Sequence, residues 1–150
     1  MKEYDYKAIP YKERLTTLCG IALNQYNVIH IDMQKFLGRT KNVHEMLDFL
    51  QKRVLKEMKQ TFSGIEPEET SLIIALEDLY GQCKEKFIFI IDEWDSIFRV
   101  HRDNATAPKE YLDFLRDLLK GQPYVALAYM TGILPIKKYG QHSALNMFKE

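Results

Sequence analysis

Three continuous, largely apolar runs restrict the fold of this chain more than any other feature of its sequence. They are 26–31 (YNVIHI), 87–91 (FIFII) and 124–130 (YVALAYM). Each run is short and rich in β-branched or aromatic residues, which predicts a strand buried on both faces, as in a parallel sheet. A buried helix segment is the competing interpretation, but polar residues follow each run at once.

The segments between these runs have the spacing of amphipathic helices. Asn42, with Glu45 three residues later, has the pattern of a capping box at the start of one helix. A second helix is predicted to begin at Pro67, and a third to extend over about 108–119 and end at Gly121. The order strand, two helices, strand, helix, strand predicts an α/β domain of three layers with a mainly parallel sheet.

Polar side chains stand at the end of each predicted strand. Asp32 follows the first strand, Asp92 and Glu93 follow the second, and Thr131 follows the third. Since ligands of open parallel sheets bind outside the carboxyl ends of the strands, these residues predict one site at one edge of the sheet. Each also has a local explanation, because acids cap turns and helices, and Thr131 precedes a turn at Gly132.

The segment 87–95 (FIFIIDEWD) carries the chemistry that is easiest to interpret. In a nucleoside triphosphatase, Asp92 would hold Mg²⁺ and Glu93 would orient or activate the attacking water. The Thr131 hydroxyl could contact the γ-phosphate or that water. Asp95 could join these acids or cap a turn at Ser96, and the cap is the simpler interpretation.

Other polar residues near the predicted strand ends permit two interpretations. Arg99 lies in a basic segment, 98–102, which is either a solvated loop or a source of a phosphate contact. Lys137 and Lys138 follow the third strand and have the same two interpretations. His30 lies within a strand, where a structural histidine with satisfied hydrogen bonds is the simpler interpretation.

A phosphate-binding loop of the form G-x-x-x-x-G-K-[ST] is absent from the sequence. Seven glycines are present, and the nearest approach, Gly38 in the segment GRTK, lacks the spacing and the preceding glycine. Without that loop the chain has neither its nest of backbone N–H groups nor its lysine for the β- and γ-phosphates.

Composition excludes several classes of protein. The formal net charge is +0, with 21 basic and 21 acidic residues, so nucleic acid is not an expected partner. The two cysteines, Cys19 and Cys83, have no metal-ligand spacing and are expected to be buried or half-buried free thiols. The N-terminus lacks the apolar core of a signal peptide, and no apolar run has the length of a membrane span. We therefore expect a cytoplasmic protein that does not bind membranes.

Three segments resemble the predicted AAA-ATPase-like family of P-loop proteins, which is common in anaerobic bacteria and often carries a restriction-like nuclease domain. They are YNVIHIDMQKFL, KFIFIIDEWDSIFR and YVALAYMTGILPIKKYGQHSALNMF, and the similarity extends over about 24–150. The resemblance implies that Asp92 is the Walker B metal acid, Glu93 the catalytic glutamate, and Thr131 a sensor-like residue at a strand end. It also implies ATP and Mg²⁺ as cofactors.

The missing loop leads us to expect an incomplete domain. We expect residues 1–25 to be an atypical N-terminal segment and residues 26–150 to be an AAA-ATPase-like core without Walker A. Such a fragment would bind ATP or another nucleotide and would hydrolyse it weakly or not at all by itself.

Two alternatives remain open. The chain could be a non-catalytic fragment or protein-interaction module, since the loss of a central strand would expose a sheet edge through which chains can self-associate. It could also be a metal-dependent nuclease that uses Asp92, Glu93 and Asp95. That site would need an E-x-K sequence on a strand, and the only attractive match, 57–59, lies on a predicted helix.

Overall fold

The fold is an α/β domain, as predicted, in a computed structural model that describes residues 8–9, 26–66, 68–101 and 106–134. In chain order its elements are β1 (Ala8–Ile9), β2 (Asn27–Asp32), α1 (Met33–Leu37), α2 (Val43–Thr61), α3 (Leu72–Cys83), β3 (Phe87–Asp92), α4 (Ser96–Val100), α5 (Thr106–Leu119) and β4 (Val125–Met130).

The sheet has the order β1-β2-β3-β4. Strands β2, β3 and β4 are parallel, and the short β1 pairs antiparallel with β2. Between β2 and β3 the register is continuous from Asn27 opposite Phe87 to Asp32 opposite Asp92. The mainly parallel sheet is therefore confirmed, and the aspartates that end β2 and β3 lie side by side.

The three predicted strands agree with the structure to within one residue, but the expected burial on both faces holds only for two of them. Strands β2 and β3 are buried along most of their length. In β4, Leu127 and Tyr129 are 51% and 55% exposed. The prediction was wrong for β4 because this strand is the last one in the described sheet and is paired there on one side only.

The predicted helix starts are partly confirmed. Asn42 caps α2 by accepting a hydrogen bond from the backbone N–H of Glu45 at 2.8 Å. The helix predicted to begin at Pro67 instead begins at Leu72, because the Ser71 side chain caps α3. Helix α5 begins at Thr106, and Gly121, with φ of +71°, follows its end.

Two further expectations were wrong. The segment predicted as a basic loop is largely helical, since Phe98, Arg99 and Val100 belong to α4. Cys83 is an exposed free thiol, because it lies in the last, solvent-facing turn of α3. Cys19, Pro67, Lys137 and Lys138 lie outside the described residues.

Side chains alternate along each strand, so the main core and the candidate site lie on opposite faces of the sheet. Ile29, Ile31, Phe89 and Ile91 lie on the face that packs against the helices. Val28 and Ile88, on the opposite face, form a small second cluster. Because residues two apart share a face, His30 and Asp92 belong to this second face, outside the main core. Within the described part of the chain, no helix has both the length and the apolarity needed to cross a membrane.

Candidate functional site at the carboxyl edge of the sheet

The Asp92 carboxylate is held between the two strands that flank β3. The Thr131 hydroxyl, which follows β4, donates to Asp92 Oδ1 at 2.5 Å. On the other side, His30 Nε2 on β2 lies 2.7 Å from Asp92 Oδ2. The backbone N–H of Thr131 donates to the Ile91 carbonyl at 3.0 Å and continues the β3–β4 pairing past the end of β4. The structure therefore brings Asp92 and Thr131 together, as the strand ends predicted.

His30 was interpreted from the sequence as a structural histidine, and the structure instead joins it to the site. Its side chain is 25% exposed and ends on the Asp92 carboxylate. The sequence contains a signal for this contact that becomes usable only with the register of the two strands. When the strands are aligned by their terminal aspartates, Asp32 and Asp92, His30 lies on the same face as Asp92 and two residue pairs before it.

The hydrogen bonds to Asp92 control its ionisation. Partial burial raises the pKa of the carboxyl, but the hydrogen bonds from Thr131 and His30, together with the charge on His30, outweigh this effect and lower the pKa. Asp92 is therefore ionised at neutral pH, and its side chain is 38% exposed. An ionised, accessible carboxylate with a hydroxyl beside it is suited to an oxygen-binding cation.

Glu93, the next residue, contacts a different partner. Its φ of +54° lies in the left-handed region, which is uncommon for residues other than glycine and is found at functional sites. Its carboxylate forms a short ion pair with the Arg99 guanidinium. Arg99 Nε also lies 3.5 Å from Asp95 Oδ2, so one guanidinium is shared by two carboxylates.

Asp95 neither joins the exposed acids nor caps a turn at Ser96. Its side chain makes no cap hydrogen bond to α4 and is 0% exposed. Asp95 Oδ2 instead accepts hydrogen bonds from the backbone N–H groups of Ile133, at 3.2 Å, and Leu134, at 3.0 Å. The predicted cap was wrong because the carboxylate accepts hydrogen bonds from the segment after β4 and not from the backbone of α4.

Gly132 permits the close approach of these two segments. A Cβ at this position would lie 2.5 Å from Asp95 Oδ1 and 2.7–2.8 Å from two atoms of the Trp94 indole ring. The Trp94 backbone N–H donates to the Thr131 carbonyl at 3.0 Å. The backbone of Thr131 is therefore bound through both its N–H and its carbonyl to β3 and the turn that follows β3.

Asp32, the acid that ends β2, has a local role. Its side chain caps α1 by accepting hydrogen bonds from the backbone N–H groups of Gln34, at 3.1 Å, and Lys35, at 3.4 Å. The local explanation offered by the sequence is therefore confirmed. Asp32 contributes to the site mainly by fixing where the chain turns after β2.

A family model described as a predicted AAA-ATPase matches residues 19–141, which is most of the chain. The chain belongs to the AAA-ATPase-like family. The match includes Asp92, Glu93, Arg99 and Thr131, so the site described above lies within the family domain. No curated protein matches this AAA-ATPase-like chain. No solved structure matches it either.

The oxygen atoms of the AAA-ATPase-like site suit a cation that takes most of its ligands from water and a bound substrate. Within the described residues, no group of three or more His, Cys, Asp or Glu side chains could hold a metal ion. Mg²⁺ is usually held by one or two carboxylates together with water and the phosphates of a substrate. Asp92 and the adjacent Thr131 hydroxyl fit that second kind of site.

The described residues do not place the E-x-K sequence on a strand, as the nuclease alternative requires. Glu57, Met58 and Lys59 lie on α2, where the Met58 side chain is buried in the core. Phe62, which follows α2, packs on Phe87 at the start of β3. The E-x-K sequence is therefore near the end of the sheet opposite Asp92.

Proposed function

We propose that this AAA-ATPase-like chain binds a nucleoside triphosphate, with ATP as the expected one, as its Mg²⁺ complex at the carboxyl edge of the sheet. The observation that carries the proposal is the Asp92 carboxylate, which is ionised, accessible and held in one orientation by Thr131 and His30. Family membership supports the same conclusion, because the matched family is described as a predicted ATPase.

In this proposal each of the four site residues has a separate role. Asp92 holds Mg²⁺, directly or through a coordinated water, and the ion offsets the charge of the phosphates. The Thr131 hydroxyl donates its one proton to Asp92, and its oxygen accepts a hydrogen bond from the attacking water. Glu93 orients or activates that water. Arg99 contacts a phosphate once its ion pair with Glu93 is released.

We expect hydrolysis by this chain alone to be slow. The sequence has no G-x-x-x-x-G-K-[ST] loop, so the phosphates lack that loop's backbone N–H groups and lysine. Moreover, Glu93 is paired with Arg99 in the structure, so its carboxylate must leave this ion pair before it can contact an attacking water. Binding of the nucleotide is therefore the property to measure first.

The test is a calorimetric titration of Mg·ATP into the full chain. Asp92→Asn preserves the size of the side chain but removes its charge, and we expect at least a tenfold loss of affinity, about 1.4 kcal/mol. Asp78→Asn, on the exposed surface of α3, is the matched control and should bind as the wild type does. A folded wild-type chain that shows no saturable binding up to millimolar Mg·ATP would refute the proposal.

A second candidate function, self-association, is favoured by the outer edge of β4. In the described sheet, β4 pairs only with β3, and Leu127 and Tyr129 are more than half exposed. The strand contains no proline and no charged residue, which are the usual features that prevent pairing at an edge. Since the chain has no net charge to repel a copy of itself, we propose a second copy as the occupant, paired antiparallel through β4.

The mass of the chain in solution tests this second function. We expect sedimentation to show a concentration-dependent dimer that Leu127→Lys dissociates, because two lysines would face each other across the shared edge. Ile74→Lys is the matched control, since Ile74 is a similarly exposed apolar residue on α3. A wild-type chain that stays monomeric at high micromolar concentration would eliminate this function without affecting nucleotide binding.

A further inference from the structure

We infer that His30 is a positioning residue, which holds the Asp92 carboxylate in the orientation that receives the Mg²⁺ of the bound nucleotide. The inference rests on the proposed function and assigns to that function a residue from a different strand. Neither the pattern of acids at the strand ends nor the resemblance to the family indicated this residue.

The geometry follows from the register of the sheet. His30 lies opposite Ile90, and Asp32 lies opposite Asp92, so the His30 side chain reaches diagonally along the face, over a distance of two residues, to meet Asp92 Oδ2. An ionised carboxylate only accepts hydrogen bonds, so the proton of this contact belongs to His30 Nε2. His30 is therefore the donor, whether the imidazole is neutral or charged.

His30 and Thr131 together fix the plane of the carboxylate. Thr131 binds Oδ1 from the β4 side, and His30 binds Oδ2 from the β2 side, at 2.5 Å and 2.7 Å. Each carboxylate oxygen has a further lone pair, which remains available for a metal ion or its water. With Thr131 alone, only one of the two oxygens would be held, and the terminal torsion of Asp92 would be less restricted, because such torsions have broad energy minima.

The effect of a His30 substitution on metal affinity can be estimated from metal sites in other proteins. Residues that hydrogen-bond to metal ligands orient those ligands, and their substitution typically reduces metal affinity by about 10–100-fold. A residue that only filled space would tolerate an apolar side chain of similar size. A structural residue whose loss disturbed the whole site would weaken nucleotide binding with and without the metal.

The experiment measures the affinity of the full chain for ATP in the presence of Mg²⁺ and in the presence of EDTA. The ratio of the two affinities isolates the contribution of the metal. We expect His30→Leu to reduce this ratio by about 10–100-fold while the affinity in EDTA is unchanged. His30→Gln retains an N–H donor on a side chain of comparable reach and should recover most of the ratio.

His44→Leu is the matched control. His44 is an exposed histidine on α2 that pairs with Glu110 on α5, and its loss should leave both affinities unchanged. Circular dichroism confirms that each variant is folded. If His30→Leu does not fold, His30→Ser, which is too short to reach Asp92, takes its place with the same expected loss.

The outcomes separate the inference from the proposed function. A wild-type chain that binds Mg·ATP with the same ratio as His30→Leu would overturn the inference and leave the proposed function standing. Equal losses with Mg²⁺ and with EDTA would also overturn it, because they indicate a general structural role. A wild-type chain whose ATP affinity does not depend on Mg²⁺ would refute the proposed function itself, and the inference with it.

Discussion

Replacement of Asp95 by alanine should destabilise the protein far more than the replacement of an exposed aspartate. The Asp95 side chain is 0% exposed, and one oxygen, Oδ2, accepts hydrogen bonds from the backbone N–H groups of both Ile133 and Leu134. Alanine removes both bonds, so that residues 133 and 134 lose their attachment to Asp95 while the bond from the Trp94 N–H to the Thr131 carbonyl remains.

The size of the effect can be worked out from these contacts. A hydrogen bond to a charged group contributes about 1.5–3 kcal/mol, so two of them contribute about 3–6 kcal/mol. Ile133 is largely exposed, and water can replace the lost acceptor there, which favours the lower end, about 3 kcal/mol. Because both N–H groups share one oxygen, Asp95→Asn can retain both bonds. It nevertheless loses the negative charge that strengthens these bonds and buries an amide N–H₂ group where Asp95 Oδ1 has no partner, so its loss of stability approaches that of the alanine variant.

Urea unfolding followed by circular dichroism measures these differences, and about 3 kcal/mol corresponds to a fall in Tm of roughly 6–12 °C. Hydrogen exchange provides a local measurement, because the Ile133 and Leu134 amides should lose protection in Asp95→Ala. The control is Asp48→Ala, which removes only a surface ion pair with Lys52 at 3.9 Å and should cost less than about 0.5 kcal/mol. An Asp95→Ala protein whose free energy of unfolding lies within about 0.5 kcal/mol of the wild-type value would refute the reasoning.

Three further predictions concern the site and the core. Gly132→Ala should cost about 1–3 kcal/mol in urea unfolding, because the new Cβ would overlap the buried Trp94 ring; an unchanged stability would contradict the tight fit. Burial raises the pKa of Tyr111 and, aided by the charge of Glu77, that of Tyr124. In an absorbance titration at alkaline pH, Tyr111 and Tyr124 should therefore ionise only as the protein unfolds. Stability should fall above about pH 10, where these tyrosines lose their protons in the unfolded chain. Because the folded-state pKa of Asp92 is lowered, its contribution to stability is present above about pH 4 and is lost as the pH falls through the folded-state pKa. The difference in unfolding free energy between the wild type and Asp92→Asn should accordingly shrink between pH 7 and pH 3, and a difference that does not depend on pH would contradict the hydrogen bonds assigned to this carboxylate.

Local patterns predicted the elements of this fold well. Each of the three strands is a continuous, largely apolar run, and each was predicted to within one residue. Burial on two faces explains such a run in β2 and β3 but not in the more exposed β4. The cap at Asn42 and the helix end at Gly121 are also local, since they depend on residues within one turn. The start of α3 was predicted wrongly because Pro67 and Ser71 are both acceptable helix starts, and only the folded chain shows that Ser71 is the cap.

The sequence by itself determined the α/β class, the parallel strands and the meeting of Asp92 with Thr131, because parallel strands place their carboxyl ends at one edge. Only the tertiary structure decided the partners of the remaining polar residues. The contact of His30 with Asp92 depends on the register between β2 and β3, and the burial of Asp95 depends on how closely the segment after β4 approaches. The exposure of β4 depends on which strand ends the sheet. Each of these features joins residues far apart in the chain, and no local pattern of side chains encodes such a distance.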